Sequence, residues 1–373
     1  MYRLYVERCK SYNKDAAKLS MYSNILNTET NIAFHVPKKH QCGLCATYIN
    51  GNEERKTELK KNYENHLRKK ELSREEETKD AETANENTQV LCFDLQAVLT
   101  TPCGEISTFY YKRSLSSYNF TIFDIKDKLG HCFFWYEGIA KRGANEIGSC
   151  IYNFFRSDAC KSENVIFYSD NCAGQNKNKF LCCLYLFCVT HKNKIKTITH
   201  KFLEKDIPIQ NEGDSMHATI EKEKKRVLKS GPVYIPAQWV TIIRSAKKTR
   251  VPYKVNEISC RDIYDLKALS TAMSNNFVKN SNSEKVISKD IKEEFKTLNI
   301  KQNNKKLRSE NQEKEIQLQP AFKKPPLIDK KKKQDLLSLC RDSSIKPVYW
   351  EFFENLPART DEVEDKLSES DSD

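Results

Sequence analysis

The apolar residues of this 373-residue chain are concentrated in one stretch, residues 90–252, and the sequence on either side is rich in Lys, Glu and Asn. Over the whole chain 38% of residues are hydrophobic, against about 45–50% in typical soluble domains. A packed core therefore has to form within residues 90–252. Much of the remaining chain is expected to be solvated helix or linker.

Short apolar and aromatic runs within this stretch predict strands, and helical spacing of apolar residues predicts helices. The predicted strands are residues 90–94, 107–113, 119–124, 131–137, 164–170 and 195–203, and the predicted helices are 144–156, 175–190 and 212–229. Strands come first and then alternate with helices. This order predicts an α/β fold, with a mixed sheet flanked by helices on both faces.

The flanking sequence divides the rest of the chain into further regions. We expect an N-terminal Cys/His region with a charged helix at 1–80, the core at 90–252, a helical extension at 253–278, a disordered basic linker at 279–347, and an aromatic patch with an acidic tail at 348–373. Whether the aromatic patch docks on the core or binds a partner is left open by the sequence.

The net charge of +12 favours a polyanionic partner, of which nucleic acid is the commonest. None of the ten glycines forms a GxGxxG or GxxxxGK[ST] motif, which argues against dinucleotide-binding and Walker-type enzymes. We expect no membrane partner, because the most apolar run, residues 180–190, is too short to span a bilayer. Lysine clusters at 323–324 and 330–333 predict a nuclear-import signal, and homo-oligomerisation is left open.

Three acids occupy the ends of predicted elements. Asp94 closes the strand at 90–94, Asp170 closes the strand at 164–170, and Asp214 opens the helix that carries His217 and Glu221. A single acid after a strand is usually a turn residue or helix cap. If the two strands are neighbours, however, their carboxylates emerge at one sheet edge, and a crossing helix can add a third.

Carboxylates gathered in this way repel one another unless divalent cations neutralise them. Oxygen ligands favour Mg²⁺ or Mn²⁺, and two such ions about 4 Å apart stabilise phosphodiester cleavage or strand transfer. Asp94, Asp170 and Asp214 are therefore the candidate metal ligands. His217 and Glu221, on the same helix face as Asp214, are candidate accessory residues, with His217 able to ligate a metal or transfer a proton.

A cysteine pair, Cys42 and Cys45, has the CxxC spacing of zinc knuckles, and His66 on the following charged helix is a candidate third ligand. Cys9 or His40 would complete a tetrahedral Zn²⁺ site. A merely buried cysteine pair is the alternative, and thioredoxin-like redox chemistry is disfavoured because no βαβ unit surrounds the motif. We expect the fourteen cysteines of this lysine-rich chain to be reduced.

Four stretches carry a family resemblance: FDLQ at 93–96, WYEGIAKRGANEIGSC at 135–150, FYSDNCAGQNKNKF at 167–180, and HKFLEKD with NEGDSMHATIE at 200–221. They resemble a transposon-derived family abundant in arthropod genomes, with a domain of unknown function that looks like an RNase-H-like DDE/D transposase core. The resemblance covers residues 20–250. It implies Asp94, Asp170 and Asp214 as metal-binding acids of a DNA-processing enzyme, and it adds Glu137 and Glu146 as candidates. The family's Pro-Lys-Lys-x-x-Cys-x-x-Cys segment before a His-bearing helix favours His66 over His35 as a zinc ligand.

The sequence departs from the family pattern after Lys205. Where the family commonly has Gly-His-Thr, this chain has Asp206-Ile-Pro. Three interpretations stay open: a nuclear, transposase-derived protein that cuts or joins DNA with two metals, a non-catalytic DNA-binding or chromatin-associated relative, and a 3′–5′ exonuclease-like enzyme on the same fold.

Overall fold

The computed structural model describes residues 2–29, 42–172, 174–191, 194–202, 212–249, 251–277 and 316–359. Contacts divide the chain into two units, Met1–Gln41 and Cys42–Asp373. In the first unit, α1 (Tyr2–Ser11) and α2 (Leu19–Glu29) contact each other through Tyr2, Tyr5 and Tyr22, whose ring centroids lie 4.9–6.1 Å apart.

The second unit contains the remaining elements. Its helices are α3 (Gly43–Asn50), α4 (Glu53–Thr83), α5 (Ser107–Tyr111), α6 (Ala144–Arg156), α7 (Lys179–His191), α8 (Glu212–Leu228), α9 (Pro236–Ala246), α10 (Leu266–Phe277), α11 (Lys330–Arg341) and α12 (Trp350–Glu354). Its strands are β1 (Thr88–Leu95), β2 (Leu99–Thr101), β3 (Leu115–Asp124), β4 (Leu129–Tyr136), β5 (Asn164–Ser169), β6 (Thr197–Phe202) and β7 (Lys254–Glu257). Two short 3₁₀ turns, Cys260–Asp262 and Pro347–Tyr349, complete the described elements.

Within the described ranges, the seven strands form one mixed sheet in the order β6-β5-β1-β3-β4-β7, with β2 paired to β3. Strand β3 runs antiparallel to both of its neighbours, β1 and β4. Strands β5 and β6 continue the sheet in parallel beyond β1, and β7 runs parallel to β4. The prediction of a mixed α/β sheet flanked by helices is confirmed.

The sheet has an apolar core on each face because its buried strands alternate side chains between the two faces. On β1, Leu91 and Phe93 enter the core formed with α6, α7 and α10, whereas Val90 and Cys92 enter the core formed with α8 and α9. All four of these side chains are fully buried. Strand β1 therefore lies inside the sheet, with an apolar core on each of its faces.

Most predicted core elements are confirmed, including the helix at 144–156, whose bounds match α6. The strand predicted at 107–113 is wrong, because these residues form the single-turn helix α5 between β2 and β3. Their aromatic composition suggested a strand, but only Phe109 is buried, while Tyr110 and Tyr111 are exposed. The core also continues past residue 252, since β7 extends the sheet within the predicted helical extension.

The C-terminal part of the chain docks on the core, so the prediction of a disordered linker at 279–347 is wrong for residues 316–347. Residues 279–315 lie outside the described residues, as does the acidic tail from residue 360. Leu336, Leu339 and Phe353 are fully buried in a third apolar cluster with Phe109 and Leu115. The aromatic patch, which the sequence left open, thus packs on this molecule.

The lysines at 330–333 form the first turn of α11 rather than part of a disordered segment. Lys332 pairs with Glu137 at 2.6 Å, and Lys333 donates to the carbonyls of Glu354 and Leu356. Nuclear import through this run remains a prediction.

Candidate functional site

Two of the predicted acids leave the sheet side by side. Strands β1 and β5 are parallel neighbours, with Cys92 opposite Tyr168. Two residues further along this register, Asp94 lies opposite Asp170, the first residue after β5. Because adjacent strands lie about 4.8 Å apart, the two acids share the same sheet edge.

Helix α8 brings two more predicted residues to this edge. Asp94, Asp214 and His217 each present a ligand atom, and these three atoms lie within 4.8 Å of one another. His217 Nδ1 is 3.7 Å from Asp94 Oδ2. Asp170 is not in this set of three, but its negative charge contributes to raising the pKa of Asp94, which shows that it lies nearby.

Thr121 fixes the orientation of the histidine ring. Its hydroxyl donates to the backbone carbonyl of Asp94 at 3.1 Å, and the same oxygen lies 2.9 Å from His217 Nε2. Because a carbonyl can only accept, the threonine proton is committed, and His217 Nε2 has to donate. Burial lowers the pKa of His217 to about 4, so the ring is neutral at pH 7 and Nδ1 carries a lone pair.

The pKa of Asp94 is raised to about 7, first by burial and then by the charges of Asp170 and Asp214. The backbone N–H of Leu95 donates to Asp94 Oδ1 at 2.7 Å and opposes this shift. Three carboxylates with one neutral histidine therefore form a site in which negative charge is costly. A cation bound among them relieves that cost.

The donor set fits a divalent cation. Asp94 Oδ2 and His217 Nδ1 are both acceptors, and their 3.7 Å separation is too long for a hydrogen bond between them. Cis ligands of an ion bound at about 2.1 Å lie roughly 3 Å apart and trans ligands roughly 4 Å apart, so a shared ion fits this spacing. Carboxylate oxygens favour Mg²⁺ or Mn²⁺, and the single imidazole makes Mn²⁺ the better match.

Asp170 is exposed, but its carboxylate has a fixed partner. Asn176, which is buried, donates from its side-chain amide to Asp170 Oδ1. The backbone N–H of Asn176 also donates to the carbonyl of Cys172 at 2.7 Å, closing the polar turn after β5. The turn therefore holds the carboxylate at the sheet edge.

The other predicted acids lie elsewhere. Glu221 pairs with Lys224 at 3.2 Å and is not among the clustered ligand atoms. Glu137 accepts from the backbone N–H of Ser116 at 2.7 Å and pairs with Lys332, so it anchors the C-terminal segment. Glu146 is buried in the first turn of α6, where burial raises its pKa. In the described part of the chain, none of these three acids is among the ligand atoms clustered around Asp94.

The cysteine pair forms a second cluster. The sulfurs of Cys42 and Cys45 and a ring nitrogen of His66 lie within 4.8 Å of one another, with Cys42 Sγ 3.2 Å from His66 Nε2. The backbone N–H of Cys45 donates to Cys42 Sγ at 3.2 Å. Burial and the neighbouring Cys42 raise the pKa of Cys45 to about 11.

His66 is the one buried residue of α4, a 31-residue helix. Zn²⁺ bound to a thiolate and an imidazole in tetrahedral geometry places S and N roughly 3.5 Å apart, close to the observed distance. The three residues therefore fit three of four Zn²⁺ ligands. Of the candidates for the fourth ligand, Cys9 belongs to the first unit. His35 and His40 lie outside the described residues.

Two residues at the acid cluster were missed from the sequence. Thr121 orients His217, and Asn176 holds Asp170. A polar residue within the apolar run of β3 was the available signal for Thr121, which is fully buried. For Asn176 the available signal was the amide-rich sequence at 171–178, but its composition does not indicate which amide faces the acid.

The basic residues between positions 222 and 248 are partly neutralised within the molecule. Arg226 and Lys248 both pair with Glu223, and this holds the pKa of that carboxyl down at about 2. Arg244 pairs with Glu257 at 3.2 Å. Lys222 and Lys225 on α8 and Lys229, which directly follows it, are spaced i, i+3 and i+7, and within the described residues they have no carboxylate partner. The free positive charge of α8 is therefore on one stripe.

Neither protein-family models nor curated proteins match this chain. Among the helices of the described ranges, none combines the length and apolar character needed to cross a bilayer.

Proposed function

We propose that this protein is a transposase-derived, DNA-processing protein that cleaves or joins phosphodiester bonds with divalent metal held by Asp94, Asp170 and Asp214. The observation that carries the proposal is the convergence of Asp94, Asp214 and His217, from two elements far apart in sequence, with ligand atoms within 4.8 Å. Asp170 extends this set from the neighbouring strand.

The sheet supports an RNase-H-like core. Three antiparallel strands, β1, β3 and β4, are followed by two strands, β5 and β6, that run parallel to β1 on its other side. This order is the one expected of such a core. It sets the first acid on the central strand and the second on its parallel neighbour, as the resemblance in sequence implies.

The residues of the site have separable roles. Bound Mg²⁺ or Mn²⁺ would activate a water or hydroxyl nucleophile and stabilise charge on the phosphate. Asp94 and Asp214 would hold the ion from strand and helix, and Asp170 would complete or bridge the site. His217 would ligate through Nδ1 while Thr121 keeps Nε2 protonated, an outer contact of the kind that tunes metal sites.

The substrate class follows from charge. Lys222 and Lys225 lie in the second half of α8 and Lys229 directly follows it, roughly 12–22 Å along the helix axis from Asp214 at 1.5 Å per residue. Lysines placed in this way neutralise successive phosphates of a polyanion and make binding dependent on salt. DNA is the partner that the resemblance implies. The three lysines would bind its phosphates on the same helix that carries Asp214 and His217.

A structural Zn²⁺ at Cys42, Cys45 and His66 is a separate part of the proposal. The three residues come from the N-terminus of α3 and the middle of α4, and the rings of Tyr48 and Tyr63 stack 3.9 Å apart beside them. No apolar side chain of either helix is buried, because α3 has no buried residue and His66 is the sole buried residue of α4. Zn²⁺ would supply the missing core.

The test is nicking of supercoiled plasmid DNA in Mg²⁺ or Mn²⁺ by the full chain. We expect cleavage by the wild-type protein, loss of cleavage in Asp170→Asn and Asp214→Asn, and full activity in Asp127→Asn, a surface acid paired with Lys161. DNA binding that persists without cleavage, with no melting-temperature increase on adding Mg²⁺, would instead establish the non-catalytic DNA-binding alternative.

A further inference from the structure

A partly buried chain of hydrogen bonds ends on the backbone of Asp170. Ser169 Oγ donates to the Asp170 carbonyl at 2.9 Å and lies 2.8 Å from His200 Nε2. The hydroxyl of Tyr185 lies 3.2 Å from His200 Nδ1. We refer to Tyr185, His200 and Ser169 as the relay. It links α7, β6 and the end of β5.

One arrangement of protons satisfies the whole relay. The carbonyl of Asp170 can only accept, so the Ser169 proton is committed to it. His200 Nε2 then has to donate to Ser169 Oγ, which leaves Nδ1 to accept from the Tyr185 hydroxyl. Burial lowers the pKa of His200 to about 3, so the neutral ring that this pattern requires is the stable form at pH 7.

The relay is unsuited to nucleophilic catalysis despite its Ser and His. Ser169 is fully buried, and its proton already points to a backbone carbonyl. His200 is enclosed by aromatic rings, with centroid distances of 4.0 Å to Phe202 and 5.2 Å to Phe93. A group in this position holds a backbone in place and does not meet a substrate.

The relay ends on Asp170, which is the one acid of the three that does not lie within a strand or helix. Asp94 lies within β1 and Asp214 within α8, whereas Asp170 is exposed and begins a turn. The side chains of Val165 and Phe167 occupy the core face of β5, and Ser169 takes the next position on that face. A polar residue at a fully buried core position costs free energy unless its hydrogen bonds are satisfied. The Ser169 hydroxyl satisfies them with the Asp170 carbonyl and with His200.

We propose that His200 is a positioning residue for the metal centre, acting through Ser169 to fix the direction in which Asp170 leaves the sheet. This inference rests on the proposed divalent-cation site. Outer contacts of metal ligands typically change metal affinity by about 10–100-fold when removed. The relay and the amide of Asn176 then hold Asp170 at two points, one on its backbone and one on its carboxylate.

The experiment is Mn²⁺ titration of the full chain, with melting temperature recorded in parallel. His200→Phe keeps an aromatic ring in the aromatic cluster but removes both ring nitrogens. We expect its Mn²⁺ affinity to fall about 10-fold while the metal-free protein melts close to the wild type. His200→Gln, whose amide N–H can reach Ser169, should recover part of the affinity. Tyr185→Phe should show a smaller loss in the same direction.

His131→Phe is the matched control. His131 lies on β4, two strands from β1 in the sheet, and it is also buried. Burial lowers its pKa to about 4, and its ring packs edge-on against Phe154 of α6. Its affinity for Mn²⁺ should equal that of the wild type. Unchanged affinity in His200→Phe and Tyr185→Phe would overturn the positioning role alone, whereas a wild-type protein that binds no Mn²⁺ would overturn the metal site and this inference together.

Discussion

The acid cluster and the cysteine cluster each bring three ligand atoms within 4.8 Å, yet the surrounding structure supports them differently. Asp94 lies on the central strand between two apolar cores, and its neighbours are fixed by Thr121 and Asn176. Cys42 and His66 instead join two helices, α3 and α4, that contain no buried apolar side chain. The acid cluster is therefore positioned by the apolar cores around β1. The cysteine cluster joins two helices that have no apolar core between them.

This difference predicts opposite consequences of metal removal. At the acid cluster, loss of the cation should leave the fold intact and the carboxylates in mutual repulsion. At the cysteine cluster, loss of Zn²⁺ should release α3 from α4. The comparison fails if both sites respond alike.

The largest effect is expected from Cys42→Ser. The substitution removes a proposed Zn²⁺ ligand. Apparent binding free energies of structural zinc are about 10–16 kcal/mol, so α3 and the first half of α4 should lose their protection from protease. Metal analysis should fall from about one zinc per chain to none, with new protease cleavage at residues 43–66. Cys182→Ser, at an exposed cysteine, is the control. Two results together would contradict the structural site: wild-type protein that contains no zinc, and equal protease resistance of the wild type, Cys42→Ser and Cys182→Ser.

Asp94→Asn should change stability with a definite dependence on pH. The pKa of Asp94 is raised to about 7 in the folded protein, so the wild type binds this proton more tightly when folded. Its free energy of unfolding without metal therefore falls as pH rises from about 4 to about 7. Asp94→Asn should melt higher than the wild type at pH 8, match it at pH 4, and lose the stabilisation by Mn²⁺. A lower melting temperature at pH 8 would contradict the shift.

Thr121→Val tests the outer contact of the histidine. Removing the hydroxyl frees His217 Nε2, so the ring is no longer held with Nδ1 towards Asp94. We expect Mn²⁺ affinity to fall about 10-fold with zinc content unchanged. Ser117→Ala, at another buried hydroxyl of β3, should leave Mn²⁺ affinity at the wild-type value.

Glu221→Gln should have the smallest effect. Glu221 was predicted as an accessory residue of the acids, but it pairs with Lys224 on the surface of α8. Exposed pairs of this kind contribute about 0–1 kcal/mol, so Mn²⁺ affinity and melting temperature should stay close to those of the wild type. A tenfold loss of Mn²⁺ affinity would return Glu221 to the site.

Residues whose role depends on their own strand or helix were accessible from the sequence. Apolar runs that end in an acid identified Asp94 and Asp170, and helical spacing placed Asp214 and His217 on one face. Thr121 and His200 escaped because their roles depend on strand pairing, which brings Thr121 opposite Asp94 and His200 beside Ser169. The local periodicity of a sequence does not predict which strands pair in a sheet.

The same limit explains the C-terminal segment. Its lysine-rich composition indicated disorder, although Leu336, Leu339 and Cys340 recur at helical spacing and are buried. The surface they cover, around Phe109 and Leu115, exists only once the sheet has formed. The lysine-rich composition reflects the exposed face of α11. It does not indicate the apolar surface on which the buried face of α11 packs.

Anomalous diffraction from crystals of the full chain soaked in Mn²⁺ tests the central claim most directly. We predict a manganese peak about 2.0–2.3 Å from carboxylate oxygens of Asp94 and Asp214 and within ligand reach of Asp170 and His217 Nδ1. A peak at the zinc edge should appear separately beside Cys42, Cys45 and His66. Manganese absent from the sheet edge, with the carboxylates of Asp94 and Asp170 turned away from each other, would contradict the account.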